Sequence, residues 1–361
     1  MRRWLDLEEP LSKAANWESA LQESRNRLAG ADRVLVTGRI RSVESSRGAI
    51  RIAQKFDATL DLWDSDAAFE SIAAFQRTGG MTVSLGEARG LSQGIVVIGG
   101  DELLEDYPKL PMALSRGESV PVLLLGRWSD RGCKPWLDEG FEVLAIDTPI
   151  EELPRSLIEA CKCNSQPAWG DQVNRWLHPL GYTSVAWSLK HLALQQADLW
   201  VEELNRWIAM RNESGRCGGL AWGDLEGTFQ QVCTWWTGFP GRIRFQRGVC
   251  GYDPTVHASS QWLDQCTAPR SLRSLVLWID DSFDEIPSCV VEADCDRVVV
   301  GARRPVPHPN TIWLPSLRAG LGLDSQFFRG DSAILVHGRD PLTINKSLPS
   351  VHEWLQGILE P

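Results

Sequence analysis

Arg242, Arg244 and Arg247 share one short run with Trp235, Trp236, Phe239 and Tyr252: Cys233 to Pro254, CTWWTGFPGRIRFQRGVCGYDP. Guanidinium forks suit carboxylate or phosphate, and indole planes cover a ligand or a partner surface. The glycines at 238, 241, 248 and 251 let backbone approach where a side chain would clash. Two jobs are open to such a run: gripping a ligand or partner, or packing as a buried turn that staples two subdomains. Alternation puts Arg242 and Arg244 on one strand face, where pairing with acidic neighbours competes with anion binding.

Other residues with chemistry in them are sparse. Asp61, Asp64 and Asp66 could hold a hard metal, but read first as an exposed acidic loop. Nine cysteines, an odd number, suggest reduced thiols. The only close pair, Cys161 and Cys163, has no second pair at zinc spacing. The six histidines are scattered singly. No run of residues matches a dinucleotide fingerprint or a P-loop.

The elements that must position these residues read as α/β. Residues 15–29 suit an amphipathic helix with Trp17, Leu21 and Leu28 on one side and Gly30 as its stop. A strand at 33–38, a helix at 42–55 and a strand at 58–62 make a βαβ unit, and 94–100, 120–126 and 141–147 add apolar strands. Runs of this kind closed by Gly or Asp belong to parallel sheets covered on both faces, whose ligands sit beyond the carboxyl ends of the strands. Gly38, Gly99, Gly100, Gly126 and Asp147 therefore mark the candidate ligand edge, with tight turns as the plainer reading of the glycines. Residues 168–232 read as mainly helical, with 216–223 a glycine-rich link, Asp224 an N-cap and a short helix through 229–232. The βα pattern returns after about residue 270, with strands at 275–280, 297–301, 310–315 and 333–337, a helix end at 289–292 and a closing helix at 351–359. The organisation expected is an N-terminal helix (1–30), a Rossmann-like domain (31–165), a mainly helical insert (166–265) carrying the 233–254 run, and a second, smaller α/β unit (266–361). Two halves around an insert would leave a cleft with 233–254 at its boundary.

Composition narrows the functional classes. A net charge of −10 argues against a sequence-independent nucleic-acid footprint. No run approaches the ~20 apolar residues of a membrane span, and the acidic start lacks a signal peptide's apolar stretch, so a cytoplasmic chain is expected. Seventeen tryptophans suggest large buried interfaces.

At the run that opened this reading the chain resembles a known family. Thr234-Trp235-Trp236-Thr237-Gly238-Phe239-Pro240, then Phe245, Arg247-Gly248, Tyr252 and Pro254, is similar to a pattern of the B-type chains of formylmethanofuran dehydrogenase: T-W-x-T-G-[FY]-P, F-x-x-G and Y-x-P. The likeness is strongest to their bacterial counterpart in the formyltransferase/hydrolase complex. Leu204-Asn205-Arg206-Trp207, the Val34–Lys55 unit and the closing Leu348-Pro349-Ser350 segment fit the same likeness, which covers roughly residues 25–360. It implies a molybdopterin oxidoreductase-like fold and partner subunits that transfer a formyl group from formyl-tetrahydromethanopterin to a methanofuran-type carrier and hydrolyse it to formate. The redox members carry cysteines for an iron-sulfur cluster and a thiolate or selenolate on tungsten or molybdenum. Here no cysteine precedes Cys133, and the segment after the second strand reads Asp61-Leu62-Trp63-Asp64-Ser65-Asp66. The expectation is a non-redox, structural subunit that has lost molybdopterin and the cluster. Gly38, Arg39, Gly99 and Gly126 would be its vestigial cleft, and Trp235, Trp236, Phe239, Arg242, Arg244, Arg247 and Tyr252 its partner or cleft residues. Two alternatives stand beside it: a molybdopterin enzyme whose Gly38, Gly99 and Gly126, with Arg39 and Arg41, hold pterin phosphates, and an α/β enzyme that grips a small anion with the three arginines.

Overall fold

The computed structural model describes residues 14–162, 168–192, 194–223, 227–267, 272–281, 285–319, 322–329, 334–339 and 348–360. The chain enters through α1 (Ala14–Gly30), β1 (Arg33–Arg39), α2 (Val43–Lys55) and a short β2 (Thr59–Leu60). It then builds β3 (Gly94–Gly100), β4 (Pro121–Arg127), β5 (Glu142–Ile146), β6 (Tyr182–Trp187) and β7 (Arg216–Ala221). It returns with a hairpin, β8 (Ile243–Gln246) and β9 (Val249–Tyr252), then β10 (Ser274–Asp280), β11 (Asp296–Gly301) and β12 (Thr311–Pro315).

These strands form two main sheets. One has the order β12-β11-β10-β1-β2-β8-β9, parallel from β12 to β2 with the hairpin antiparallel at its edge. The other is wholly parallel, in the order β5-β4-β3-β6-β7. The fold is thus mixed α/β with parallel sheets and flanking helices. The continuous apolar runs of the sequence have their expected cause, since β3 is buried at every residue.

The division of the chain differs from the one the sequence suggested. One compact unit takes residues 1–64, 227–329 and 335–361, and the other takes 65–226 with 330–334. Residues 31–165 are therefore not one domain, because β1 and β2 pair in one sheet and β3, β4 and β5 in the other. Residues 266–361 do not make a separate sheet either: β10 pairs with β1 over seven residues, from Arg33 against Ser274 to Arg39 against Asp280. The β1-α2-β2 unit and the C-terminal strands complete a single core, and the second unit is an insertion between β2 and β8.

The segment 168–232 is also more than helical. It supplies β6 and β7, and the presumed glycine link is β7 itself. Its glycines hide the strand from a propensity reading but serve packing. A Cβ on Gly219 would lie 2.7 Å from the fully buried indole of Trp187, and one on Gly218 would collide with Val83. Asp224 and the start of the 333–337 strand fall outside the described residues. Leu335–Gly338 pairs antiparallel with Ser325–Phe328, apart from the main sheets.

In the first unit, α2 packs a face of Ser46, Ala49, Ile50 and Ala53 against the sheet. Gly48 lets the closing helix, Val351–Leu359, approach: a Cβ there would lie 2.7 Å from Leu355. Trp354 of that helix donates its indole N–H to the Pro315 carbonyl at 2.7 Å and meets Trp17 of α1 edge-on at 5.9 Å. Much of the tryptophan content is core: Trp136, Trp187, Trp207 and Trp278 are fully buried. Such rings bury ~150–250 Å² each.

Candidate functional site

The carboxyl ends of β1 and β10 are where a parallel sheet of this order, reversing direction around β1, would receive a ligand. Gly38 sits there with φ of +140°, and a Cβ would collide with the Ile279 carbonyl, so the position admits no other residue without strain. The next element is the start of α2, whose free N–H groups form an anion site by construction. A residue of the chain itself fills it. Asp281, completely buried, accepts the backbone N–H of Arg41 at 3.0 Å and of Ser42 at 3.1 Å on Oδ2, and the Ser45 hydroxyl at 3.1 Å on Oδ1. Ser42 Oγ lies 3.3 Å from Oδ2 and caps Ser45 N at 3.1 Å. Burial pushes the Asp281 carboxyl up, while its four donors pull against that shift. Arg39, expected to face a cofactor, lays its guanidinium 6.0 Å from the Trp278 ring centre and donates to the Glu285 carbonyl at 2.8 Å. These residues do not fit a pterin phosphate at this position, because a carboxylate already holds the donors it would need.

Beside this lies a second buried network. Asp61 Oδ2 accepts from Ser259 N at 2.7 Å and Ser259 Oγ at 2.9 Å, and that hydroxyl pairs with Thr37 Oγ1 at 2.9 Å. Arg242 Nε stands 3.7 Å from Asp61 Oδ1, and its Nη1 donates to the Pro254 carbonyl at 2.7 Å. Asp61 is therefore no part of an exposed acidic loop; it is 1% exposed and ties β2 to the segment after β9. Among the described residues, no group of three or more His, Cys, Asp or Glu side chains is placed to hold a metal ion.

The 233–254 run lies entirely within the first unit and splits into three parts. Residues 233–237 finish a helix, Gly227–Thr237, that the sequence ended five residues earlier. Trp235 and Trp236 stand on its surface, 63% and 42% exposed. Trp236 faces two α2 guanidiniums, Arg47 at 5.6 Å and Arg51 at 5.5 Å, and Trp235 meets Phe328 edge-on at 5.5 Å. A depression of about 470 Å³ lies among Val43, Arg47, Val232 and the two indoles. Residues 238–242 then turn the chain, with Gly238, Gly241 and Arg242 all at positive φ. Finally β8 and β9 close around Arg247 and Gly248, whose φ values of 51° and 79° are those of a two-residue hairpin turn matched to strand twist. Phe239 stacks flat on Tyr252 at 5.0 Å, and burial raises the Tyr252 phenol.

The three arginines do not converge on one ligand. Arg242 is buried just ahead of β8, Arg244 is exposed on it, and Arg247 occupies the turn, where its N–H donates to Asp57 Oδ1 at 2.8 Å. The expected shared face of Arg242 and Arg244 fails because the strand begins at Ile243 and the left-handed Arg242 leaves the alternation. Gly99 and Gly126 belong to the other unit, at the carboxyl ends of β3 and β4. The four vestigial-cleft candidates are thus divided between two sheets. Sequence reasoning missed Asp281, which lies past the end of an apolar strand with nothing nearby to mark it, and missed Arg47 and Arg51, whose four-residue spacing on α2 was the available signal.

The buried thiols give no sign of reactivity. Burial drives Cys217 and Cys295 up to about 12 and Cys233 well above its ordinary value. Cys163 lies outside the described residues.

No protein-family model matches the chain, and no curated protein matches it by sequence. Solved structures do. The chain is similar to one in the formyltransferase/hydrolase complex from Methylorubrum extorquens, determined in complex with methylofuran. The TM-score is 0.79 at 17% identity, over 96% of each chain. That likeness fixes the fold along nearly the whole length. No helix among the described residues is long and apolar enough to cross a membrane.

Proposed function

We propose that this chain is a non-catalytic, B-type subunit of a cytoplasmic formyltransferase/hydrolase complex in C1 metabolism. In this reading partner subunits move the formyl group of formyl-tetrahydromethanopterin to a methanofuran-type carrier and hydrolyse it to formate. The observation that carries the proposal is the end-to-end fold likeness to a chain of such a complex, insertion included. The T-W-W-T-G-F-P run supports it, being the stretch by which the sequence resembles that family.

Asp281 supports the loss of molybdopterin. A carboxylate on the N–H groups of Arg41 and Ser42 stands in the place of a cofactor phosphate and repels one. The exposed pair Trp235 and Trp236, with Arg47 and Arg51 over the second ring, has the composition of an interface centre, which supports reading it as the face that meets a partner subunit.

The test is purification of the tagged chain from its native host under mild conditions, followed by mass spectrometry, metal analysis and a formyl-transfer assay. The expected result is a stoichiometric hetero-oligomer with formyltransferase and amidohydrolase-like subunits, whose transfer activity the isolated chain lacks. A stable monomer without such companions, or stoichiometric molybdenum or tungsten in the chain, would sink the proposal.

A further inference from the structure

α2 carries a basic stripe on its outer face. Arg47, Arg51 and Lys55 follow at four-residue spacing, so three exposed cations stand in line along about 12 Å of helix. Like charges at this spacing cost a helix stability. Lys55 donates to the Leu359 carbonyl at 2.7 Å, at the end of the closing helix. Arg47 and Arg51 make no hydrogen bond or ion pair among the described residues. The acid on this face, Glu44, is half-buried in the first turn of α2 and pairs with neither.

Both guanidiniums are laid over an indole instead, 5.6 and 5.5 Å from the Trp236 ring centre. That contact uses their planar faces and leaves the N–H edges of the forks free to donate. Two depressions share Arg47. One, of about 470 Å³, has Val43, Val232 and the exposed rings of Trp235 and Trp236 for walls. The other, of about 360 Å³, runs past Arg51 to His352 and Gln356 of the closing helix. All of these residues belong to the first unit.

We propose that this face receives an acidic segment of a partner subunit, in which carboxylates flank an apolar side chain. The carboxylates pair with the free edges of Arg47 and Arg51, and the apolar side chain enters the depression between the two valines and the indoles. This rests on the subunit reading above and adds to it the chemistry of the partner. Charge complementarity selects the occupant. The chain as a whole carries −10, which repels a long polyanion such as nucleic acid. Salt screens that charge beyond ~8 Å, so a short acidic segment meets the local field of the arginines first. A small inorganic anion would satisfy the guanidiniums but leave both indoles in water.

Charge reversal in the native complex tests it. With Arg47→Glu and Arg51→Glu together, the dissociation constant for the partner subunits should rise about a hundredfold in biolayer interferometry, because like charges then face each other. Wild-type assembly should weaken with added salt, and the doubly reversed chain should lose most of that dependence. Arg131→Glu, at an exposed site in the other unit, should change neither. Arg47→Lys and Arg51→Lys keep the charge and supply an amine, which a carbodiimide should join to an Asp or Glu of a partner subunit, read by mass spectrometry. Circular dichroism of each variant separates lost binding from lost folding. A wild-type complex that withstands the double reversal, that nuclease releases, or whose lysine variants give no such cross-link overturns this inference alone. Failure of the wild-type chain to form any hetero-oligomer sinks the subunit reading, and this inference with it.

Discussion

Replacing Asp281 by alanine is the sharpest perturbation of the first unit. The carboxylate's Oδ2 serves the N–H groups of Arg41 and Ser42 at 3.0 and 3.1 Å, and neither hydroxyl in the cluster is placed to take over that acceptance. The hydroxyls have a fallback in each other, since Ser42 Oγ already lies 2.8 Å from Ser45 Oγ. The buried Ser42 N–H is therefore left without an acceptor, at ~1–3 kcal/mol, while the Arg41 N–H is only part-buried and costs less. Asp281→Asn behaves differently. Its carbonyl oxygen takes the Oδ2 place, its amide donates to Ser45 Oγ at the Oδ1 place, and only the charge assistance is lost, about 1–2 kcal/mol. Denaturant titration of the three proteins reads these differences as shifts in midpoint at constant slope. Sulfate or formate should restore part of the alanine variant's stability by occupying the vacated N–H groups, while chloride at equal ionic strength should not. An alanine variant within about 1 kcal/mol of wild type, or an asparagine variant as damaged as the alanine one, would refute the claim that Asp281 fills an anion site.

Four further outcomes are expected. Trp235→Ala with Trp236→Ala should leave the melting temperature of the isolated chain within a few degrees of wild type, because both indoles are largely exposed, yet weaken hetero-oligomer formation by tenfold or more in analytical ultracentrifugation. Native-state labelling with maleimide at neutral pH should modify the exposed Cys289 and spare Cys217 and Cys295, whose thiols stay protonated up to about 12; mass spectrometry after short exposure distinguishes them. His191 has a folded pKa below its unfolded value, so the folded state binds fewer protons. The stability this gives is present above the unfolded pKa and is lost as pH falls through the folded one; His191→Gln should flatten that acid limb in thermal melts across pH 4–8. Gly219→Ala should cost more than an ordinary strand Gly→Ala exchange, about 1–3 kcal/mol by chemical denaturation, because the new methyl meets Trp187 at 2.7 Å.

How much of this was legible in the sequence depended on whether side chains or long-range pairing carried the signal. Strands such as 94–100 and 297–301 and the closing helix at 351–359 stood out because burial on both sheet faces and a Ser350–Glu353 capping box leave a local imprint. β7 did not, since Gly218 and Gly219 are there for Val83 and Trp187, residues distant in sequence. The partition failed for a related reason. Apolar strands look alike whichever sheet they join, and nothing in 33–39 says that its neighbour is 274–280 rather than 94–100. The aromatic run was found at once, but its parts were misread as a unit. Trp235 and Trp236 end a helix, Arg242 closes a buried ion pair, and Arg247 makes a hairpin turn, three tasks that share only their proximity in sequence. Asp281 is the converse case. A lone acid after a strand carries no pattern, yet its meaning is complete once α2 begins beside it, because four donors then converge on one buried carboxylate. At the carboxyl edge of this sheet the start of α2 is served by an anion of the chain itself: Asp281, brought there by β10, accepts the N–H groups of Arg41 and Ser42.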